Sequence, residues 1–320
     1  MKPTALYYSI LKYQSENRNF LDKHFNVQEL PNPSFDNDEI LAKIEVLFAP
    51  LGYKIDNIKI TKCQNLKVII SNTTGIPHID ISAASLRGIT ICALHDEQIF
   101  LQKITPTAEH TIGLMLAALR RIPAAHFATC SGSWDRRPWG ASRMLSRMTL
   151  GIVGMGRLGS KVARIADAME MKVRWFDPYV IGGESSLLNL ARESDILSLH
   201  AVANSETLGL ISRNVLEALP KGALVINTAR GELIDSSALI DLLEAGHLSA
   251  AALDTIEGEY EPNFTQSFIS SRIATYARNH DNLILTPHIG GSTIDAWYET
   301  ERRVIIKACR ALNLSIENYV

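Results

Sequence analysis

Apolar and polar positions alternate along the second half of this chain in a regular order. Short runs at 150–153, 171–176, 196–199, 223–227, 250–253 and 283–285 are dominated by Val, Ile, Leu, Ala and aromatic residues, as in strands covered on both faces. Between them lie stretches with helical spacing, such as 212–219 and 236–245; the latter has Asp235 or Ser236 as a cap and Gly246 as a stop. Six strands with crossover helices predict a doubly wound parallel sheet. The first hundred residues repeat the pattern on a smaller scale. Strands are expected at the end of 39–47, at 66–71 and at 89–93, with a helix at 81–86, while 7–30 yields no element. Residues 107–121 are apolar nearly all round (Ile112, Leu114, Met115, Leu116, Leu119), which predicts a helix buried between two bodies. Residues 123–148, with Trp134, Arg136, Arg137 and Trp139, read as a long connection, an arm for a second subunit in preference to a substrate contact. The final stretch, 293–312, predicts an amphipathic helix with Ile294, Trp297, Val304, Ile305, Ala308 and Leu312 inward, returning to the first domain.

Composition narrows the class. The chain has 320 residues, 46% hydrophobic and 21% charged, enough for about two ordinary globular domains. A formal net charge of −2 argues against a nucleic-acid or anionic-membrane surface. No apolar run is long enough to span a bilayer, and the first ten residues lack the apolar core of a signal peptide. Cys63, Cys92, Cys130 and Cys309 are scattered without a C-x-x-C pair, so no metal site is expected, and a reducing cytoplasm fits.

The first predicted strand of the second half runs directly into Gly154, Gly156 and Gly159, a G-x-G-x-x-G spacing, and then into an amphipathic run carrying Leu158, Val162, Ile165, Ala166 and Met169. Strand, glycine turn and helix together form a pyrophosphate cradle: the first glycine turns tightly, the second admits the phosphate, and the third lets the helix sit on the strand. The next strand ends at Asp177, placed to accept hydrogen bonds from ribose hydroxyls. A carboxylate there suits a free 2′-hydroxyl and repels a 2′-phosphate, which favours NAD over NADP.

Ligands of such sheets bind beyond the carboxyl ends of the strands. Arg230 follows the fourth strand, Asp254 and Glu259 the fifth, and His288 the sixth. Arg230 is a charged fork suited to a carboxylate and its neighbouring carbonyl. His288 can exchange a proton near neutral pH, and Glu259 can orient its ring, with Glu257 as the competing acid. Asp254 contacts the nicotinamide end or caps its strand; His200, at the end of the third strand, lines the cofactor or packs. His78 and His110 read as structural.

These pieces, with Thr74-Gly75, Ile79-Asp80 and Ala108-Glu109, resemble the NAD-dependent D-isomer-specific 2-hydroxyacid dehydrogenases over roughly 66–293. The resemblance implies an α/β chain of two Rossmann-like domains with doubly wound parallel sheets. A flavodoxin-like substrate domain (1–104 and 291–320) would hold an inserted NAD-binding Rossmann domain (105–290), with the active site in the cleft. It implies a dehydrogenase that interconverts a small 2-keto acid and a D-2-hydroxy acid. Arg230 would anchor the substrate, with His288 as acid/base and Glu259 as its partner. The substrate would be held by Thr74 and Gly75 together with Arg230 and His288. NAD would be held by Gly154, Gly156, Arg157, Leu158, Gly159, Asp177, His200, Thr207, Thr228, Asp254 and Thr107. A homodimer joined through the cofactor domains and the arm is also implied.

Several positions depart from the family pattern. Tyr260 stands where proline usually follows the acid, with Glu261-Pro262 behind it, so a register shift would make Glu261 the partner. Residues 199–203 lack the usual proline, and Pro77-His78 replaces the more usual Asp-Asn. Residues 258–279 read as an insertion carrying a lid or interface element. NAD-sensing corepressors of the C-terminal-binding-protein type resemble the same family, which leaves a non-enzymatic use of the fold open.

Overall fold

The computed structural model describes residues 2–261 and 263–316. Two compact units divide the chain. One comprises the residues up to Ile104 with those from Thr293 on; the other is Thr105–Ser292. No helix among the described residues is long and apolar enough to cross a membrane.

The first unit is built on five parallel strands: β1 (Thr4–Tyr8), β2 (Asn26–Leu30), β3 (Val46–Phe48), β4 (Val68–Ile70) and β5 (Thr90–Cys92), in the order β2-β1-β3-β4-β5. Their period of two sends Ala5, Tyr7, Val46, Phe48, Val68 and Ile70 to one face and Leu6, Tyr8, Leu47 and Ile69 to the other. β1, β2 and the helix Ser15–His24 fill the stretch where periodicity yields no element. β2 is an edge strand with no fully buried residue, so its sequence carries no apolar run.

The last helix, Ile294–Ala311, belongs to this unit. Its buried face is Ala296, Thr300, Glu301, Val304, Ile305, Ala308 and Cys309, whereas Ile294 and Trp297 are exposed. The expected inward face is thus corrected in its first turns, where Glu301 goes inward. Its carboxylate accepts from Gln14 N–H and Asn17 Nδ2, 2.9 Å each. A buried acid with hydrogen-bond partners is tolerated where a lone one is not, and apolarity alone could not place it.

The second unit has six parallel strands: β6 (Thr149–Val153), β7 (Lys172–Phe176), β8 (Ile196–Leu199), β9 (Ala223–Asn227), β10 (Leu248–Leu253) and β11 (Leu283–Leu285), in the order β11-β10-β9-β8-β6-β7. Leu197, Leu199, Val225, Ala251 and Leu253 face one core, and Leu150, Ile152, Ile196, Ile226 and Ala252 the other. The helix Pro106–Leu119 packs Ala108, Ile112 and Met115 into the second of these cores. Inside the expected connection 123–148 lies a helix, Ile122–Cys130, none of whose residues is buried. The expected insertion at 258–279 is largely the crossover to β11. It forms the helices Phe264–Ile269 and Arg272–Asn279, and Ile273 and Tyr276 of the second enter the core.

Candidate active site

The strand order sets the location. β6 has β7 on one side and β8 on the other, so the chain leaves it in both directions and a crevice opens at its carboxyl end. The glycine turn occupies that end. Gly154 has φ +90°, and a Cβ there would lie 2.7 Å from Ala201 N; a Cβ on Gly159 would lie 2.1 Å from the Gly154 carbonyl oxygen. Both glycines are required by the chain's own packing. Gly156 is different. Its φ is −74°, and a Cβ would meet nothing within 4 Å. Open space on the glycine at the start of the helix Arg157–Ala168, where no side chain caps the N-terminus, fits the pyrophosphate of a dinucleotide. Leu158 helps seat that helix against the core, and burial draws the Arg157 guanidinium below its usual pKa.

Asp177 stands one residue beyond β7. Its Oδ2 accepts from Met155 N–H at 2.8 Å and its Oδ1 from Tyr179 N–H at 2.9 Å, so the carboxylate buckles the glycine turn to the neighbouring loop. His200 follows β8 directly. Its Nε2 lies 2.8 Å from Ser198 Oγ, its Nδ1 is buried without a hydrogen-bond partner, and burial holds its pKa down to about 4, which keeps the ring neutral. Thr207 closes the next turn: its hydroxyl donates to Val202 O (2.6 Å) and accepts from Asn204 N–H (2.8 Å). Thr228 is buried against Thr111 (Oγ1 to Oγ1, 2.7 Å), and Thr111 in turn donates to the Thr107 carbonyl at 2.8 Å.

The reactive side chains gather beyond β9, β10 and β11. Asn227 closes β9; its Nδ2 donates to Arg230 O (2.7 Å) and its Oδ1 accepts from Ala229 N–H (3.0 Å), which shapes the turn carrying Arg230. Arg230 Nη1 donates to Ala229 O at 2.6 Å. Gly231 follows, and a Cβ there would lie 2.0 Å from Glu257 N and 2.1 Å from the Ile256 carbonyl carbon. The Arg230 turn and the loop of Glu259 therefore meet backbone to backbone. His288 Nδ1 lies 2.8 Å from Glu259 Oε1, within the same unit. His288 is also one of the few non-glycine residues with positive φ, +51°, held there by its N–H to Asp254 O (2.8 Å) and Thr286 O (3.0 Å). Thr74 and Gly75 lie in the other unit, on the loop after β4. There Thr73 Oγ1 donates to Gly75 O (2.7 Å).

Asp254 is 1% exposed. Its carboxylate accepts from Thr286 Oγ1 (2.6 Å), Ile289 N–H (2.9 Å) and Gly290 N–H (2.8 Å). These bonds anchor the loop that presents His288. His110 reaches the same group, with Nε2 3.1 Å from Thr286 Oγ1 and 3.3 Å from Asp254 Oδ1. Sequence reasoning set His110 aside as structural. Its spacing of three from Thr107 on one helix face was the signal to follow. Tyr260 was noted only as a departure, yet its hydroxyl lies 3.0 Å from His288 Nδ1.

An inserted doubly wound sheet with a glycine cradle, an acid after its second strand and an Arg/Glu/His cluster at its carboxyl edge defines a dinucleotide-binding α/β chain. The family model of the D-isomer specific 2-hydroxyacid dehydrogenase NAD binding domain matches residues 112–290. The chain is 34% identical over 264 residues to D-3-phosphoglycerate dehydrogenase of Archaeoglobus fulgidus, covering 80% of this chain and 47% of that protein. It is 34% identical over 276 residues to glyoxylate reductase of Thermofilum pendens, covering 81% and 76% respectively. Among solved structures, D-lactate dehydrogenase from Aquifex aeolicus complexed with NAD and lactic acid shares a TM-score of 0.81 and 27% identity, over 97% of this chain and 95% of that one. The chain belongs to the D-isomer specific 2-hydroxyacid dehydrogenase family and carries its NAD-binding domain. It spans about half the length of the phosphoglycerate dehydrogenases it matches.

Proposed function

We propose that this protein interconverts a small 2-keto acid and the corresponding D-2-hydroxy acid with NAD. The observation that carries the reading is the 2.8 Å pairing of His288 Nδ1 with Glu259 on the loop next to Arg230, at the edge where the glycine cradle opens. The bound dinucleotide supplies or accepts the hydride at C2. In reduction, Arg230 grips the carboxylate and polarises the 2-carbonyl, and protonated His288 passes its Nε2 proton to the carbonyl oxygen, giving the hydroxyl. Glu259 stabilises the imidazolium and orients the ring. In oxidation neutral His288 removes the hydroxyl proton. Family resemblance assigns the Thr74 and Gly75 amides to the substrate carboxylate.

Asp177 makes NAD the favoured dinucleotide, since a 2′-phosphate would stand against its charge. A panel of small 2-keto acids run with NADH and then NADPH tests both statements. Turnover of at least one acid is expected, with kcat/KM about 100-fold higher for NADH, equivalent to about 2.7 kcal/mol. Absence of NADH oxidation across the panel refutes the reaction, and equal use of NADPH refutes the role of Asp177.

The protein is further proposed to be a homodimer joined through the arm. The helix Ile122–Cys130 is apolar yet buries nothing, and Ile122, Phe127, Trp134 and Met144 are exposed on this segment. An apolar helix left exposed is the kind of surface that an interface covers. Light scattering behind size exclusion should report the mass of two chains; a monomer at micromolar concentration would count against it.

A further inference from the structure

We propose that His78 is a positioning residue for the substrate, acting through Ser71 and Thr73 on the loop that presents the Thr74 and Gly75 amides. The inference rests on the reading of those amides as holders of the substrate carboxylate, and adds the side chains that hold them. Three consecutive hydrogen bonds within the first unit carry it. His78 Nε2 lies 3.4 Å from Ser71 Oγ, Ser71 Oγ lies 2.7 Å from Thr73 Oγ1, and Thr73 Oγ1 donates to Gly75 O at 2.7 Å.

The last bond sets the direction of the others. Thr73 has one hydroxyl proton and gives it to the Gly75 carbonyl, so towards Ser71 it accepts. Ser71 has then used its own proton and can only accept from His78, which places the ring proton on Nε2. Nδ1 is left as a bare lone pair, and it is buried with no hydrogen-bond partner. Burial also holds the ring pKa down to about 4, so the imidazole stays neutral and keeps this tautomer. Donors that all point one way along a chain reinforce each other.

The base of this chain is fixed by residues outside the loop it steers. His78 is 5% exposed, and its segment is stitched to the loop after β3: Ile55 N–H donates to His78 O at 2.7 Å and Asp80 N–H to Ile55 O at 2.9 Å. Ser71 is also buried, and its N–H donates to Cys92 O at 3.0 Å. The tip is open. Thr74 is exposed, and no hydrogen bond among the described residues uses the N–H of Thr74 or Gly75. Holding the Gly75 carbonyl restrains the turn and leaves those two N–H groups for an anion.

The test breaks each link in turn with Thr73→Val, Ser71→Ala and His78→Leu. Each should raise KM for the 2-keto acid about tenfold, the loss of one hydrogen bond in the path. A grip that is equal in ground and transition states leaves kcat, and KM for NADH, within about twofold of wild type. His78→Gln, whose amide can take the place of Nε2–H, should bring KM back to within about threefold of wild type, which a packing role of the ring would not do. His78→Leu combined with Thr73→Val should be no worse than Thr73→Val alone. Unchanged KM in Thr73→Val, additive effects in the pair, or no recovery with glutamine overturns the proposal. A second readout does not depend on turnover. Oxamate, a carboxylate beside a carbonyl, is titrated into the NADH-bound protein while the Thr74 and Gly75 amide signals are followed by NMR. Thr73→Val should need about tenfold more oxamate for the same shift. If the wild type turns over no 2-keto acid but the amides respond in this way, the reaction is wrong and the role of His78 stands. If turnover is present and neither KM nor the oxamate response changes in the variants, only the role of His78 falls.

Discussion

His288→Asn should lower kcat/KM for 2-keto acid reduction by about 10²- to 10⁴-fold, the range contributed by a positioned general acid. NADH affinity, read by fluorescence, should stay within about twofold of wild type. Asparagine is the informative replacement. His288 sits at φ +51°, and asparagine tolerates the left-handed region that would strain alanine. The backbone N–H bonds to Asp254 O and Thr286 O should therefore survive, so lost turnover reports lost proton transfer and not a collapsed loop. The pH dependence also has a definite sign. Reduction needs the imidazolium and falls as pH rises; oxidation needs the neutral ring and rises. Both limbs should vanish in the variant. Retention of a wild-type limb would place the acid elsewhere.

Gly231→Ala should abolish turnover and cost about 3 kcal/mol of stability or more, at the upper end for overpacking. The new Cβ would fall 2.0 Å from Glu257 N and 2.1 Å from the Ile256 carbonyl carbon. Both are backbone atoms, so no rotamer change relieves the clash and one loop must move away from the other. One carries Arg230 and the other Glu259, which ties the loss of stability to the loss of function. Thermal unfolding and kcat/KM read the two together. Gly113→Ala is the control. It lies in the helix Pro106–Leu119 with open space at its Cβ and should gain up to about 1 kcal/mol in helix propensity. A Gly231→Ala protein with wild-type Tm and turnover would mean that the two loops do not depend on this contact.

The apolar runs located all six strands of the second unit, to within two residues at each end, because a strand covered on both faces writes its burial directly into its residues, and the partly exposed edge strand β7 still carries alternate apolar residues. The same logic gave out at β2, whose half-exposed edge has no apolar run to read. It also set Ile294 and Trp297 on the inward face of the last helix, where the structure exposes both and buries Glu301, since a buried acid is tolerated for its partners and not for its own hydropathy. In the candidate site, Arg230, Glu259 and His288 were legible as residues that follow strands, and strand ends share an edge in any parallel sheet. The choice between Glu259 and Glu261 was open in the sequence; the structure puts Glu259 on Nδ1.

What the sequence determined by itself was local: strand and helix periods, the glycine spacing before a helix, and the chemistry available after each strand. These depend on neighbours within about ten residues. The tertiary structure alone decided the strand order that opens a crevice at β6, the contact that makes Gly231 indispensable, the turning of Asp254 onto the His288 loop with His110 behind it, and the meeting of Tyr260 with His288. Each joins residues about 25 to 180 positions apart, and their approach is set by how crossover helices pack on the sheet. No spacing within one segment encodes that distance.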